Sequence, residues 1–237
     1  MHLGLNTGAA ARQREQLLVD WLERVSSDAE AIFLLGDVFD FWFEYERVIP
    51  KGFTRLLGKL AELSDRGVEV HFFPGNHDMW TLGYLERECG VTIHHGTGIF
   101  ELYGKRIFLA HGDNLGKRTC GERFLNGFFR SRTARWVVQR MIHPDLMLRF
   151  GHWWSRHSRK NNDRESYTFW GEDEPLVRFS REYVARIPVD YLIFGHLHHY
   201  VDYDLGDGRR VIFLGDWVNS PSYAALGPDG SLKLERV

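Results

Sequence analysis

Four stretches of this 237-residue chain share one form, an apolar run that stops abruptly at Asp, Asn or His: LLGDVFDFW at 34–42, FFPGNHDMW at 72–80, AHGDN at 110–114 and GHLHH at 195–199. Short apolar runs bounded by glycine and polar residues read as buried strands, and in open α/β sheets ligands bind outside the carboxyl ends of strands. Singly, a Gly-Asp or Gly-Asn after a strand is an ordinary turn whose side chain bonds nearby backbone amides. As a set, oxygen and imidazole donors at four strand ends are the donor chemistry of hard or borderline divalent metals. The chain is therefore constrained to a fold in which these four strand ends can meet.

The segments between them fit an alternation of strands and helices. Residues 11–25 place Leu17, Leu18, Trp21, Leu22 and Val25 on one helical face, and Lys51–Arg66 reads as a second amphipathic helix with Gly67 just past its end. AIFLLGD and VEVHFFPGNHD read as buried strands, and GIFELYGKRIFLAHGD as two strands about a Tyr-Gly turn. VDYLIFGHLHH is another buried strand, DLGDGRRVIFLGDW a hairpin through Asp207-Gly208, and LGPDGSLKLERV a closing hairpin. The order implies an α/β sandwich of mixed sheets in one domain spanning 1–237.

Bulk properties narrow the function. With 43% hydrophobic and 26% charged residues the chain reads as soluble and globular, and no apolar run approaches the roughly 20 residues of a membrane span. The first residues do not form a charged start followed by an apolar stretch, so the expected compartment is the cytoplasm. Cys89 and Cys120 lack metal or disulfide spacing. A net charge of −2 argues against a general nucleic-acid binder.

In chain order GDVFD, GNHD, HGD and GHLH resemble the signature of the calcineurin-like metallophosphoesterases. The resemblance implies that family's sandwich and a two-metal cluster. Asp37 would bridge both ions; His2 and His198 would complete one shell, and Asn76, His111 and His196 the other. The donor set suits Mn²⁺ first, with Fe or Zn²⁺ as alternatives. His77 would face the phosphate and protonate the leaving oxygen, with Asp40 orienting it. The family pattern also carries D-x-H at the end of its first strand. HLG at 2–4 is similar to its tail, with Met1 in the middle position and the Asp falling one residue ahead of the chain. Either the natural protein starts further upstream, or this chain lacks its first core strand and one metal ligand. His71 alternates with apolar neighbours and reads as packed, while His94, His95, His143, His152, His157 and His199 occupy no motif position.

Within that family, DFWFEY, KGFTRLLGKL and FFPGNHDMW resemble the UDP-2,3-diacylglucosamine hydrolases of lipid A synthesis, along nearly the whole chain. Some of those enzymes carry Arg where this chain has His77. From Leu115 to Glu165 there are twelve Lys plus Arg against four Asp plus Glu, interleaved with Phe124, Phe128, Phe129, Trp136, Phe150, Trp153 and Trp154. A basic, aromatic helical stretch suits an anionic membrane surface, and the resemblance makes this insertion, about 115–170, a helical lid that accepts acyl chains. The implied substrate is a nucleotide-linked glycolipid, cleaved at its pyrophosphate to UMP and 2,3-diacylglucosamine 1-phosphate by a protein peripherally bound to the inner membrane. Arg118, Lys160 and Arg164 are candidate contacts to the outer substrate phosphate. Two other readings stay open: a metallophosphoesterase acting on phosphoprotein, nucleotide or nucleic acid, and an interaction scaffold with a degenerate metal site.

Overall fold

A computed structural model describes residues 1–5, 8–116, 127, 131–162 and 168–237, with the side chains of 156–162 outside the description. Two sheets lie face to face. The first is parallel, ordered β1-β2-β3, from β1 (Ala31–Leu34), β2 (Glu69–Phe72) and β3 (Thr92–Ile93). The second has the order β4-β5-β6-β8-β7, built from β4 (Thr97–Leu102), β5 (Lys105–Ala110), β6 (Tyr191–Phe194), β7 (Tyr200–Gly206) and β8 (Arg209–Leu214). Here β5, β6 and β8 run parallel, and β4 and β7 close the edges antiparallel. A hairpin of β9 (Ser222–Leu226) and β10 (Leu232–Arg236) pairs Leu226 with Leu232.

Period-two alternation along each strand explains the layering. In β1 and β2, Ile32, Leu34, Val70 and Phe72 face a core built with α1 (Gly8–Val25) and α2 (Thr54–Asp65). On β5 and β6, Ile107, Leu109, Tyr191 and Ile193 turn inward to meet Leu35 and Phe73 between the sheets. Their alternates Phe108, Ala110, Leu192 and Phe194 pack under α6 (Pro175–Val184) through Leu176 and Val177. The result is four layers, helix, sheet, sheet, helix. In the central strands β5, β6 and β8 both faces are buried, which is why those strands read as continuous apolar runs.

Two expectations shift in detail. Leu17 is 39% exposed, off the buried face of α1, and Glu15 is buried there instead. The reason lies at the start of α2. That helix begins at Thr54 rather than Lys51, because Gly52 and Phe53 adopt left-handed backbone with φ of 104° and 59°. Phe53 offers no capping side chain, so the Glu15 carboxylate reaches across and accepts from the amides of Arg55 (2.9 Å) and Leu56 (3.2 Å). This is a cap supplied by a neighbouring helix. His71 is packed as expected, stacked on Phe33 with centroids 4.6 Å apart.

Of the insertion, α4 (Arg132–Met141) and α5 (Pro144–Asn162) are helices, the former capped by Ser131 Oγ accepting from the Ala134 amide. No helix among the described residues is long and apolar enough to cross a membrane. At the amino-terminal end, Leu3 forms a parallel bridge with Phe39. Met1 through Gly4 thus lies beside the loop after β1, with the His2 amide donating to Asp37 O (2.7 Å) and the Asp40 amide to Leu3 O (2.7 Å).

Glu15→Ala is expected to lower stability by about 1–2 kcal/mol, the range of a lost helix cap. Leu17→Ala, at an exposed site, is expected to stay within about 0.5 kcal/mol. Urea denaturation midpoints of the two variants compare them directly, and an equal effect would refute the capping role.

Candidate metal centre

The carboxyl ends of β1 and β2 from one sheet and of β5 and β6 from the other converge on one cleft. Close approach of their loops depends on two glycines. A Cβ on Gly36 would lie 2.5 Å from His111 Nδ1 and 2.6 Å from the Gly75 amide; one on Gly75 would lie 2.3 Å from Asp37 Oδ1. Neither position admits a larger residue. Four of the converging side chains stand on left-handed backbone: His2, Asp37, His196 and His198, with φ of 55°, 50°, 44° and 57°. Such conformations are costly for residues with a Cβ and concentrate where surrounding structure over-determines a functional geometry.

Asp37 is the shared member. Its Oδ2 lies 3.4 Å from His111 Nε2 and 3.7 Å from His2 Nε2, and His2 Nε2 in turn lies 3.3 Å from His198 Nε2. Two groups of donor atoms close enough to hold one ion each therefore overlap at Asp37: Asp37, His111 and His196 on one side, and His2, Asp37 and His198 on the other. Asn76 Oδ1 sits 3.3 Å from His111 Nε2, on the edge of the first group. The residues fit a pair of divalent ions. His111 Nδ1 faces the Leu35 carbonyl at 2.8 Å, and since a carbonyl only accepts, Nδ1 donates and Nε2 is left as the donor atom for a metal. Among the described residues His2 Nδ1 is buried without a hydrogen-bond partner, which marks a site built for more than its own contacts.

Protonation follows the same geometry. Burial, opposed by Asp40, takes His2 down to about 4, and desolvation in the cleft followed by the charge of His111 takes His196 down to about 4. His198 is likewise lowered by desolvation. These imidazoles present neutral lone pairs at neutral pH. Asp37 is desolvated too, yet the charges of His111, His77 and His2 hold its carboxyl well below the usual carboxylate range. Its counterpart His111, against its own burial, is pushed up to about 9 by Asp37.

His77 lies beside this cluster, its ring 4.8 Å from that of His2 in an edge-on arrangement. Its Nδ1 donates to the main-chain carbonyl of Asp40 at 2.9 Å, so Asp40 orients His77 through the backbone. The Asp40 carboxylate instead faces His2 Nδ1 (3.6 Å), His152 Nδ1 (3.8 Å) and the hydroxyl of Ser155, which donates to Oδ1 at 2.8 Å. His152 and Ser155 were not legible as site residues, because they sit in the insertion and belong to no motif. Asp78 was also passed over, although it closes the GNHD stretch. Fully buried, its carboxylate accepts from the amides of Gly75 (2.7 Å), Val38 (2.8 Å), Asp37 (3.2 Å) and Phe39 (3.3 Å), tying the two loops together. Arg118 and Arg164 lie outside the described residues, as does the side chain of Lys160.

A sandwich whose strand ends assemble two imidazole-bearing donor groups about one carboxylate defines the metal-dependent phosphoesterase class. The chain belongs to the calcineurin-like phosphoesterase family, whose model matches residues 5–200. Among curated proteins it is 43% identical to a UDP-2,3-diacylglucosamine hydrolase of Porphyromonas gingivalis, over 94% of this chain and 90% of that one. It is 29% identical to the protein of the same name from Aeromonas salmonicida, over 92% and 85%, and 30% identical to that of Edwardsiella ictaluri, over 89% and 81%. Among solved structures, a zinc-complexed Vps29 of Entamoeba histolytica aligns over 92% of this chain and 87% of its own at 17% identity, with a TM-score of 0.40, too distant to bear on the site.

Metal binding at this cluster is expected to be proton-linked. Below about pH 9 His111 holds a proton that it must release to ligate, while His2 and His196, neutral above about pH 5, release none. Apparent Mn²⁺ affinity should therefore rise about tenfold per pH unit from 7 to 9 and then level. Calorimetric titration at pH 7.5 in two buffers of different protonation enthalpy should read about one proton released for the pair of ions, from the His111 site alone; identical heats in both would refute the assignment of His111.

Proposed function

We propose that this protein is a hydrolase that cleaves the pyrophosphate bond of UDP-2,3-diacylglucosamine, releasing UMP and 2,3-diacylglucosamine 1-phosphate, as a step of lipid A synthesis. The observation that carries the chemistry is the sharing of Asp37 between two histidine-bearing donor groups. The substrate is that named for relatives that match this chain along nearly its whole length. In this reading Asn76, His111 and His196 would hold one ion with Asp37, and His2 and His198 would hold the other, with Mn²⁺ the first candidate and Fe or Zn²⁺ the alternatives. Bound there, two divalent ions would supply Lewis acidity, lowering the pKa of the attacking water and offsetting charge on the phosphoryl oxygens.

The chain's own groups do the rest. Water adds to the uridine-side phosphorus, and the bond from that phosphorus to the bridging oxygen breaks. His77, its Nδ1–H engaged by the Asp40 carbonyl, keeps Nε2 as the atom that delivers a proton to the departing sugar phosphate. Asp78 keeps the Asp37 and Asn76 loops at fixed separation, so the phosphoryl group meets a preformed site.

The insertion supports a membrane-facing role at the inner membrane's cytoplasmic side. On α4 and α5, Trp136, Val137, Met141, Leu146, Phe150, Trp153 and Trp154 are exposed alongside Arg132, Arg140 and Arg149. Surface aromatics interleaved with arginines suit the boundary between headgroups and acyl chains of an anionic bilayer.

Detergent-solubilised UDP-2,3-diacylglucosamine with Mn²⁺ should yield UMP, detected by chromatography. His77→Ala should lower kcat by about 10²–10³-fold, the scale of a general acid, with KM little changed. Hydrolysis of a small phosphodiester without release of UMP from the glycolipid would move the assignment to another phosphoesterase of this family. Cosedimentation with anionic vesicles should weaken about tenfold when Trp136 and Trp153 are both changed to Ala, and unchanged binding would place the membrane contact elsewhere.

A further inference from the structure

Within the segment that follows the shared carboxylate, Asp40, Phe41, Phe43, Glu44 and Tyr45 each meet the insertion. Met147, Gly151 and Ser155 recur every four positions and so form one stripe along α5. Met147 is buried against Phe43 and Trp80. Gly151 rests on the ring of Phe41 so closely that a Cβ there would lie 2.3 Å from Cγ. Ser155 Oγ donates to Asp40 Oδ1 at 2.8 Å in a fully buried bond between residues 115 positions apart. From α4 and the turn after it, Gln139 Nε2 donates to Glu44 O (2.9 Å), and Tyr45 donates its hydroxyl to Ile142 O (3.1 Å).

Asp40 thus has two ends with different partners. Its carbonyl fixes the ring of His77, and its carboxylate, 1% exposed, is held by Ser155 while facing His2. We propose that Ser155 is a positioning residue through which the seating of the helical insertion sets Asp40, and through Asp40 the orientation of His77. The inference rests on the phosphoesterase reading given above. A hydroxyl donor to a buried carboxylate is a strong, geometrically demanding bond. Its loss alters how the carboxylate is seated among its remaining partners, and with it the small adjustments of the backbone whose carbonyl aims His77. The seating of α5 thus bears on the alignment of the proton donor.

The test compares wild type, Ser155→Ala and Ser155→Cys on two substrates with Mn²⁺: UDP-2,3-diacylglucosamine in detergent, and bis(p-nitrophenyl) phosphate, which carries no acyl chains. Cysteine nearly conserves volume but donates weakly, so it reports the hydrogen bond even where alanine impairs folding. The expected result is about a tenfold fall in kcat on both substrates, with KM changed less than twofold, the signature of an interaction that matters in the transition state. Unchanged kcat on the small diester, or a rise in KM for the glycolipid alone, would overturn the proposal and reduce Ser155 to a lid contact. Wild-type protein that cleaves the diester but not the glycolipid would instead overturn the substrate reading, and the Ser155 comparison would still be decided on the diester.

Discussion

The buried carboxylate of Asp78 is what the rest of the site depends on. Four amides from two loops converge on its oxygens, so a charge that would be intolerable in the interior becomes the fastener that sets the loops at one separation. Its position has an electrostatic cost: burial, with Asp37 close by, raises its carboxyl to about 6. The gain is that Asp37 is presented from a backbone that cannot drift. His111, His196 and His198 come from the opposite sheet, and the glycines at 36 and 75 let the two halves approach to contact.

Much of this arrangement was legible before any coordinates, and the boundary of legibility has physical causes. Asp37, Asn76, His111 and His196 stood out because each follows an apolar run at a strand end, so motif and strand end coincide. The Tyr103-Gly104 and Asp207-Gly208 turns followed from residues that accept positive φ, and both adopt it. Short elements escaped notice: β3 has two residues and α3 (Tyr84–Cys89) six, too few to display a period. Leu17 was assigned to the wrong edge of its helix, because hydrophobic periodicity does not foresee that a neighbouring helix lacking a cap will draw Glu15 inward. The carboxylate partners of Asp40 were likewise hidden, since a contact across 115 residues leaves no mark in local spacing.

The insertion illustrates how a feature legible only as composition acquires structural meaning. Its basic and aromatic content pointed outward, to a surface. In the fold it also has an inward stripe of modest residues, Met147, Gly151 and Ser155, whose value lies in shape and one hydroxyl. Glu44 extends the same principle on the core side. Its buried carboxylate accepts from Trp42 Nε1 (3.0 Å) and from the amides of Leu82 and Tyr84. The segment on which the insertion rests is therefore itself pinned to the loop after GNHD.

The left-handed backbone at His2, Asp37, His196 and His198 carries a consequence for how this protein changes over generations. Each such residue costs roughly 1–2 kcal/mol relative to one at ease there, against a total stability of about 5–15 kcal/mol for a typical domain. Glycine or asparagine at these positions would relax the chain while removing a donor atom. A library screened only for thermal robustness would drift toward those two residues here, and the positions where robustness and turnover part company would trace the outline of the catalytic centre with no substrate ever having been supplied.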